Sequence, residues 1–102
     1  MQELRIEVDV YCDWQSDPQA YRLWLDGELF TERTYIWDNP RSWVREILIA
    51  ELDFGEHEII IEPVDPNFKG FSLRNFAIDN VFQRLNGTKF TVSLRQPVNS
   101  LG

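Results

Sequence analysis

The chain has 102 residues, a length for one folding unit rather than two. It is 43% hydrophobic and 26% charged, ordinary values for a soluble globular protein. Seventeen acidic against ten basic residues give a net charge of -7, which argues against nucleic acid, whose phosphates favour a basic stripe. The nearest approach to such a stripe is Arg41 to Arg45, two arginines interrupted by Trp43. No run approaches the ~18 consecutive apolar residues of a membrane helix. The opening Met1 to Arg5 lacks the layout of a signal peptide. Cys12 is the only cysteine and His57 the only histidine. An internal disulfide, a Cys-rich zinc site and a His-cluster metal site are thereby excluded. Aromatics reach 14%, more than a core of this size easily hides, so some are expected at an interface or a stacking platform.

Period two dominates the pattern. Leu4, Ile6, Val8, Val10 and Cys12 alternate with Arg5, Glu7, Asp9 and Tyr11, which predicts a half-buried strand. Asp13 to Gln19 holds turn formers. Tyr21 to Leu25 is the next strand, with Tyr21, Leu23 and Leu25 on one face and Arg22 and Trp24 on the other. Asp26-Gly27 between apolar runs predicts a type I′ hairpin, whose two central residues need positive φ. Thr34 to Trp37 reads as a short strand, stopped by Asp38-Asn39-Pro40.

Trp43 to Leu52 is the longest alternating run. Val44, Leu48, Ala50 and Leu52 share one side, and Trp43, Arg45, Ile47 and Ile49 the other. Two partly apolar faces predict a central or doubly covered strand; a helix also fits the spacing of Val44, Ile47 and Leu48, but the β-branched content favours sheet. Asp53-Phe54-Gly55 is a turn, and Glu56 to Glu62 a strand with His57, Ile59 and Ile61 facing one way. Pro63 to Gly70 is a loop, and Phe71 to Ile78 a strand. Asp79-Asn80 is a candidate turn before a strand over Val81 to Leu85. Asn86-Gly87 is a second hairpin signal, leading into Phe90, Val92 and Leu94. The expected fold is all-β: one antiparallel β-sandwich or jelly roll of about seven or eight short strands over residues 1–95, with an unpatterned C-terminal tail over 96–102.

The chemical equipment is sparse. His57 has no accompanying nucleophile motif and is expected to be pinned by a backbone or carboxylate hydrogen bond at the strand entrance. Cys12 follows the inward phase of its strand and sits beside Asp13, which predicts an inert thiol. No spacing among the carboxylates selects a hydrolytic pair. No enzyme and no cofactor are expected. Calcium is the one metal to weigh, since Asp13, Asp17, Asp38, Asn39, Asp65, Asn67, Asp79 and Asn80 all fall in predicted loops. None forms an EF-hand pattern, and such residues usually turn the backbone. The candidate binding residues are Trp37, Arg41, Trp43, Arg45 and Trp14. Trp and Arg are over-represented among interface anchors, and a flat indole also suits a sugar ring.

Two segments, Tyr21 to Asp38 and Val44 to Glu62, carry a resemblance. Trp24-Leu25-Asp26-Gly27, followed by Leu52-Asp53-Phe54-Gly55-Glu56-His57-Glu58-Ile59-Ile60-Ile61, resembles small virion structural proteins of tailed phages, particularly the contractile-tailed phages of cyanobacteria. The same layout is similar to β-sandwich carbohydrate-binding modules of the calcium-dependent xylan-binding kind. It covers roughly Tyr21 to Asn80, and no calcium or sugar ligand set of that second family is matched. The first resemblance implies a non-catalytic virion accessory, made in the host cytoplasm without a signal peptide. Such a part would be a capsid decoration or cement protein, or a tail or fibre attachment part. Its partners would be other virion proteins such as the major capsid protein, or further copies of itself, with no nucleic acid and no membrane. The alternative it implies is a carbohydrate-binding module, calcium-dependent or not, that contacts surface glycans.

Overall fold

Eight strands succeed one another in the computed structural model, which describes residues 2–13, 19–35 and 43–93: β1 (Gln2–Cys12), β2 (Ala20–Leu25), β3 (Glu28–Thr34), β4 (Trp43–Leu52), β5 (Gly55–Pro63), β6 (Phe71–Ile78), β7 (Val81–Phe82) and β8 (Lys89–Val92). They form two four-stranded antiparallel sheets, ordered β4-β1-β6-β7 and β3-β2-β5-β8. The all-β sandwich anticipated from the alternation is the observed fold. The predicted tail over 96–102 lies outside the described residues, as do Trp14, Asp17, Trp37, Asp38, Asn39, Arg41 and Leu94.

Two strands organise the core. β1 lies between β4 and β6, and β2 between β3 and β5. The inward residues of these central strands, Ile6, Val8, Val10, Tyr21 and Leu23, have no exposed surface. Leu48 of β4, Ile59 of β5, Phe76 and Ile78 of β6 and Phe90 of β8 complete the layer between the sheets. Each such side chain stabilises the fold by about 1.5–3 kcal/mol through burial.

The turns follow local chemistry. Asp26 and Gly27 have φ of 51° and 82°, the two positive values of a type I′ hairpin between β2 and β3. Asp79 and Asn80, at 48° and 69°, do the same between β6 and β7. At the β4–β5 reversal Gly55 takes φ of 115°, a conformation closed to residues with a Cβ.

Five expectations are corrected. Thr34 does not open a new strand but closes β3, whose ladder with β2 runs from Glu28 through Thr34; Tyr35 beyond it is buried outside any strand, and the rest of the expected strand, Ile36 and Trp37, lies outside the described residues. Among the described residues β4 is not central or doubly covered: it is an edge strand paired to β1 alone, and its outer isoleucines are exposed. Asp9 is on the outward phase of β1 as expected, yet it is buried, because neighbours on β4 and β6 close over it. The strand at Val81 ends at Phe82 rather than Leu85. The last hairpin signal is displaced by one residue: Asn86 and Lys89 exchange both backbone hydrogen bonds, so Gly87 and Thr88 are central. Only Gly87 has positive φ, at 66°, the layout of a type II′ turn.

Candidate functional site

The register assembles a cluster on the outer face of the β4-β1-β6 sheet. Tyr11 pairs with Trp43 and Asp9 with Arg45 across β1 and β4, while Asp9 pairs with Arg74 across β1 and β6. Residues directly opposite in antiparallel strands share a face and touch. The Tyr11 and Trp43 rings accordingly stack at 5.9 Å between centroids. The Arg74 guanidinium lies 4.4 Å over the Tyr11 ring, a cation–π contact.

Beneath the aromatic pair lies a buried carboxylate. Asp9 keeps 2% of its surface exposed. The Arg45 Nε donates to its Oδ1 at 2.9 Å, and the Asn75 Nδ2 donates to its Oδ2 at 2.9 Å. Asn75 is placed by a one-residue bulge in β6, where the pairing with β1 shifts between Glu7 and Asp9. Its φ of 55° is a conformation that Asn tolerates better than most residues. Burial pushes the Asp9 carboxyl up, but the bonds from Arg45 and Asn75 outweigh it and hold the pKa below the ordinary value. Towards the other end of β4 the outer face turns apolar: Ile47 and Ile49 are 48% and 55% exposed.

Of the predicted binding residues, Trp43 and Arg45 fall in this cluster; Trp14, Trp37 and Arg41 lie outside the described residues. The sequence reading missed Tyr11, Arg74 and Asn75 as their partners. The available signal was the outward phase of Tyr11 in an otherwise charged series; the β6 residues carried none, because a bulge is not written in periodicity. Trp24 is elsewhere, half-buried on the outer face of the second sheet, where its Nε1 donates to Glu62 Oε1 at 2.9 Å.

His57 is pinned on both sides. Its Nδ1 is 2.6 Å from Asp26 Oδ2 and its Nε2 is 2.8 Å from the Asp53 carbonyl oxygen. Two acceptors suit a ring that carries two protons. Burial lowers the pKa, but the Asp53 carbonyl and then the Asp26 carboxylate outweigh it and raise the pKa above its ordinary value. Asp26 also accepts the Glu58 backbone N–H at 2.9 Å, so the ring ties the β2–β3 turn to β5 and to the residue that follows β4. Cys12 packs against the core, and burial, then Asp13, push its thiol pKa up.

A second buried acid sits between the sheets. Glu46, 3% exposed, lies on the inner side of β4 and accepts a hydrogen bond from the Tyr21 hydroxyl. Arg33 Nε is 2.7 Å from its Oε2. Tyr21 and Arg33 are opposite each other on β2 and β3 and so reach Glu46 from one face. Burial, then the carboxylate, drive the Tyr21 pKa far above its ordinary range, which keeps it a donor.

An open groove of about 730 Å³ runs along β5, β6 and residues 82–88. Its lining includes Ile60, Phe82, Arg74, Asn75, Gln83 and Arg84, and no carboxylate among the described residues. Phe82 is 72% exposed. Among the described residues no three His, Cys, Asp or Glu side chains are grouped to hold a metal. The Asp65 carboxylate accepts the Asn67 N–H at 2.9 Å and that of Asp79 accepts the Arg5 N–H at 2.9 Å, both backbone-turning or ladder-extending roles. Comparison with protein-family models, characterised proteins and solved structures returns no match to the chain.

Proposed function

We propose that the chain is a non-catalytic β-sandwich that acts by contact with other proteins through the outer face of β4-β1-β6. Its place would be that of a virion accessory, in capsid decoration first and in tail or fibre attachment second, as the resemblance implies. The observation that carries the contact reading is the exposed aromatic–guanidinium end of that face, where Trp43, Tyr11, Arg74 and Arg45 meet. These residue types dominate interface energetics because each combines a large rigid contact with a polar handle. The virion context rests on the resemblance alone.

The test is direct. Mass spectrometry of purified particles detects the chain at a fixed ratio to the major capsid protein. A Trp43→Ala/Arg74→Ala variant that melts within a few degrees of the wild type loses about 2 kcal/mol or more of binding and is depleted from particles. Absence of the chain from particles removes the virion reading; normal incorporation of the double variant removes the assigned face.

The groove favours a second reading, binding of a glycan. An exposed Phe82 beside Asn75, Gln83 and Arg84 offers an apolar platform with polar groups around it, as sugar rings require. A glycan array with and without calcium, run beside Phe82→Ala, separates this reading from the first.

A further inference from the structure

Among the described residues the two sheets end in four edge strands, and they differ in how they are closed to further pairing. β7 has two residues and β8 four. β3 has seven, is interrupted by a register shift opposite Leu23 and Trp24, and exposes Glu28, Glu32 and Arg33. Short strands, bulges and charges are the devices that keep an edge from recruiting another strand. β4 is neither short nor bulged, and the charges it carries, Arg45, Glu46 and Glu51, leave Ile47 and Ile49 exposed between them. It runs ten residues, Trp43–Leu52, in unbroken register with β1. Among the described residues its backbone makes no hydrogen bond beyond that ladder. Its outer side chains in order are Trp43, Arg45, Ile47, Ile49 and Glu51, all exposed.

That order is self-complementary. Take two copies of β4 antiparallel about a two-fold axis through Leu48, perpendicular to the sheet. Arg45 of one copy then faces Glu51 of the other, and Ile47 faces Ile49, each twice by symmetry. On the inner side Val44 faces Leu52 and Glu46 faces Ala50. Sliding the copies two residues one way sets Arg45 opposite Ile49; the other way sets Ile47 opposite Glu51. Sliding by one would turn one copy's core face outward. Arg45 holds Asp9 through Nε, yet half of its side chain remains exposed, so a second carboxylate can reach it.

We propose that β4 pairs with β4 of a second copy of this chain in that register, joining two β4-β1-β6-β7 sheets into one continuous eight-stranded sheet. The pairing shares Arg45 with the contact face proposed above but otherwise uses the strand's edge with Ile47, Ile49 and Glu51 rather than the Tyr11–Trp43 end, so the Ile47 and Ile49 variants test it apart from that reading.

The experiment measures mass in solution by light scattering at about 100 μM, enough to populate a complex of micromolar affinity. Wild type is expected at twice 12.1 kDa. Ile47→Glu/Ile49→Glu sets like charges opposite each other and is expected at the monomer mass, with a far-ultraviolet spectrum unchanged because both side chains face out. Ile47→Lys/Ile49→Glu sets opposite charges in the same places and is expected to return to the dimer mass. A monomeric wild type, a dimeric Glu/Glu variant, or a monomeric but folded Lys/Glu variant overturns the proposal. If the Lys/Glu variant does not fold, Glu51→Arg, which opposes Arg45, replaces it; retention of the dimer mass there overturns the register.

Discussion

Two carboxylates are buried to almost the same degree by opposite routes. Asp9 is on the outer face of its sheet and Glu46 on the inner face of the next strand, at 2% and 3% exposure. Each is held by one arginine, Arg45 and Arg33, whose side chains are both 51% exposed. Asp9 obeys the alternation of its strand and is covered because a bulge on β6 sends Asn75 across it. Glu46 violates the expectation that core-facing positions are apolar, and lies close enough to the sheet edge for Arg33 to reach it. An ion pair that surrounds an outward acid ties neighbouring strands of one sheet together. One that reaches an inward acid ties the two sheets.

The largest expected effect breaks the inter-sheet pair. Arg33→Met leaves Glu46 buried with the Tyr21 hydroxyl as its remaining partner. It should cost about 3–5 kcal/mol, the typical penalty for stranding a buried charge, measured by urea denaturation. Tyr21→Phe/Glu46→Met removes the polar pair as a unit and should cost far less, within about 1 kcal/mol of wild type. If the double variant is as damaging as Arg33→Met, the pair is not acting as an isolated unit.

The outer acid should be less sensitive. Asp9→Asn keeps the shape but removes the charge, and should cost about 1–3 kcal/mol at neutral pH. Its folded pKa lies below its ordinary value of 3.8. The Asp9 contribution is therefore complete above pH 3.8 and is lost as pH falls through the lower folded value. Asp9→Asn should remove that part of the acid limb in a pH series of melts; a limb of unchanged slope would show that Asp9 is not its source.

His57 has the opposite sign. Its folded pKa is raised above 6.5, so its contribution is complete below pH 6.5 and disappears as pH rises through the folded value. The wild-type melting temperature should decline on the alkaline side of 6.5, and His57→Gln should flatten the decline. Equal slopes in both proteins would remove the imidazolium from the account. The smallest effect on stability is at the aromatic end. Arg74→Ala should cost about 0.5–1 kcal/mol, the worth of an exposed cation–π contact, which leaves a folded protein in which binding can be read separately.

The strands were legible because a half-buried strand writes its two faces into alternate residues. Leu4 to Val10 and Tyr21 to Leu25 could be assigned inward and outward without coordinates. Asp26-Gly27 could be placed because few residues accept positive φ twice in succession. The His57 tether was legible only as a type of partner, a carboxylate or a carbonyl; Asp26 lies 31 residues away and no local rule connects them. Trp43 and Arg45 were legible as binding candidates by residue type, whereas their neighbours Tyr11 and Arg74 were not.

What the sequence by itself determined is the all-β character, the inward set of each long strand and the Asp26-Gly27 turn, since these depend on residues within a few places of one another. What only the tertiary structure decided is which strands are neighbours. That choice made β4 an edge, set Trp43 on Tyr11, placed Arg45 and Asn75 on Asp9, and brought Arg33 and Tyr21 to Glu46. Strand pairing is a contact between distant parts of the chain, selected by how the whole set of apolar faces closes into two layers. No single segment carries it.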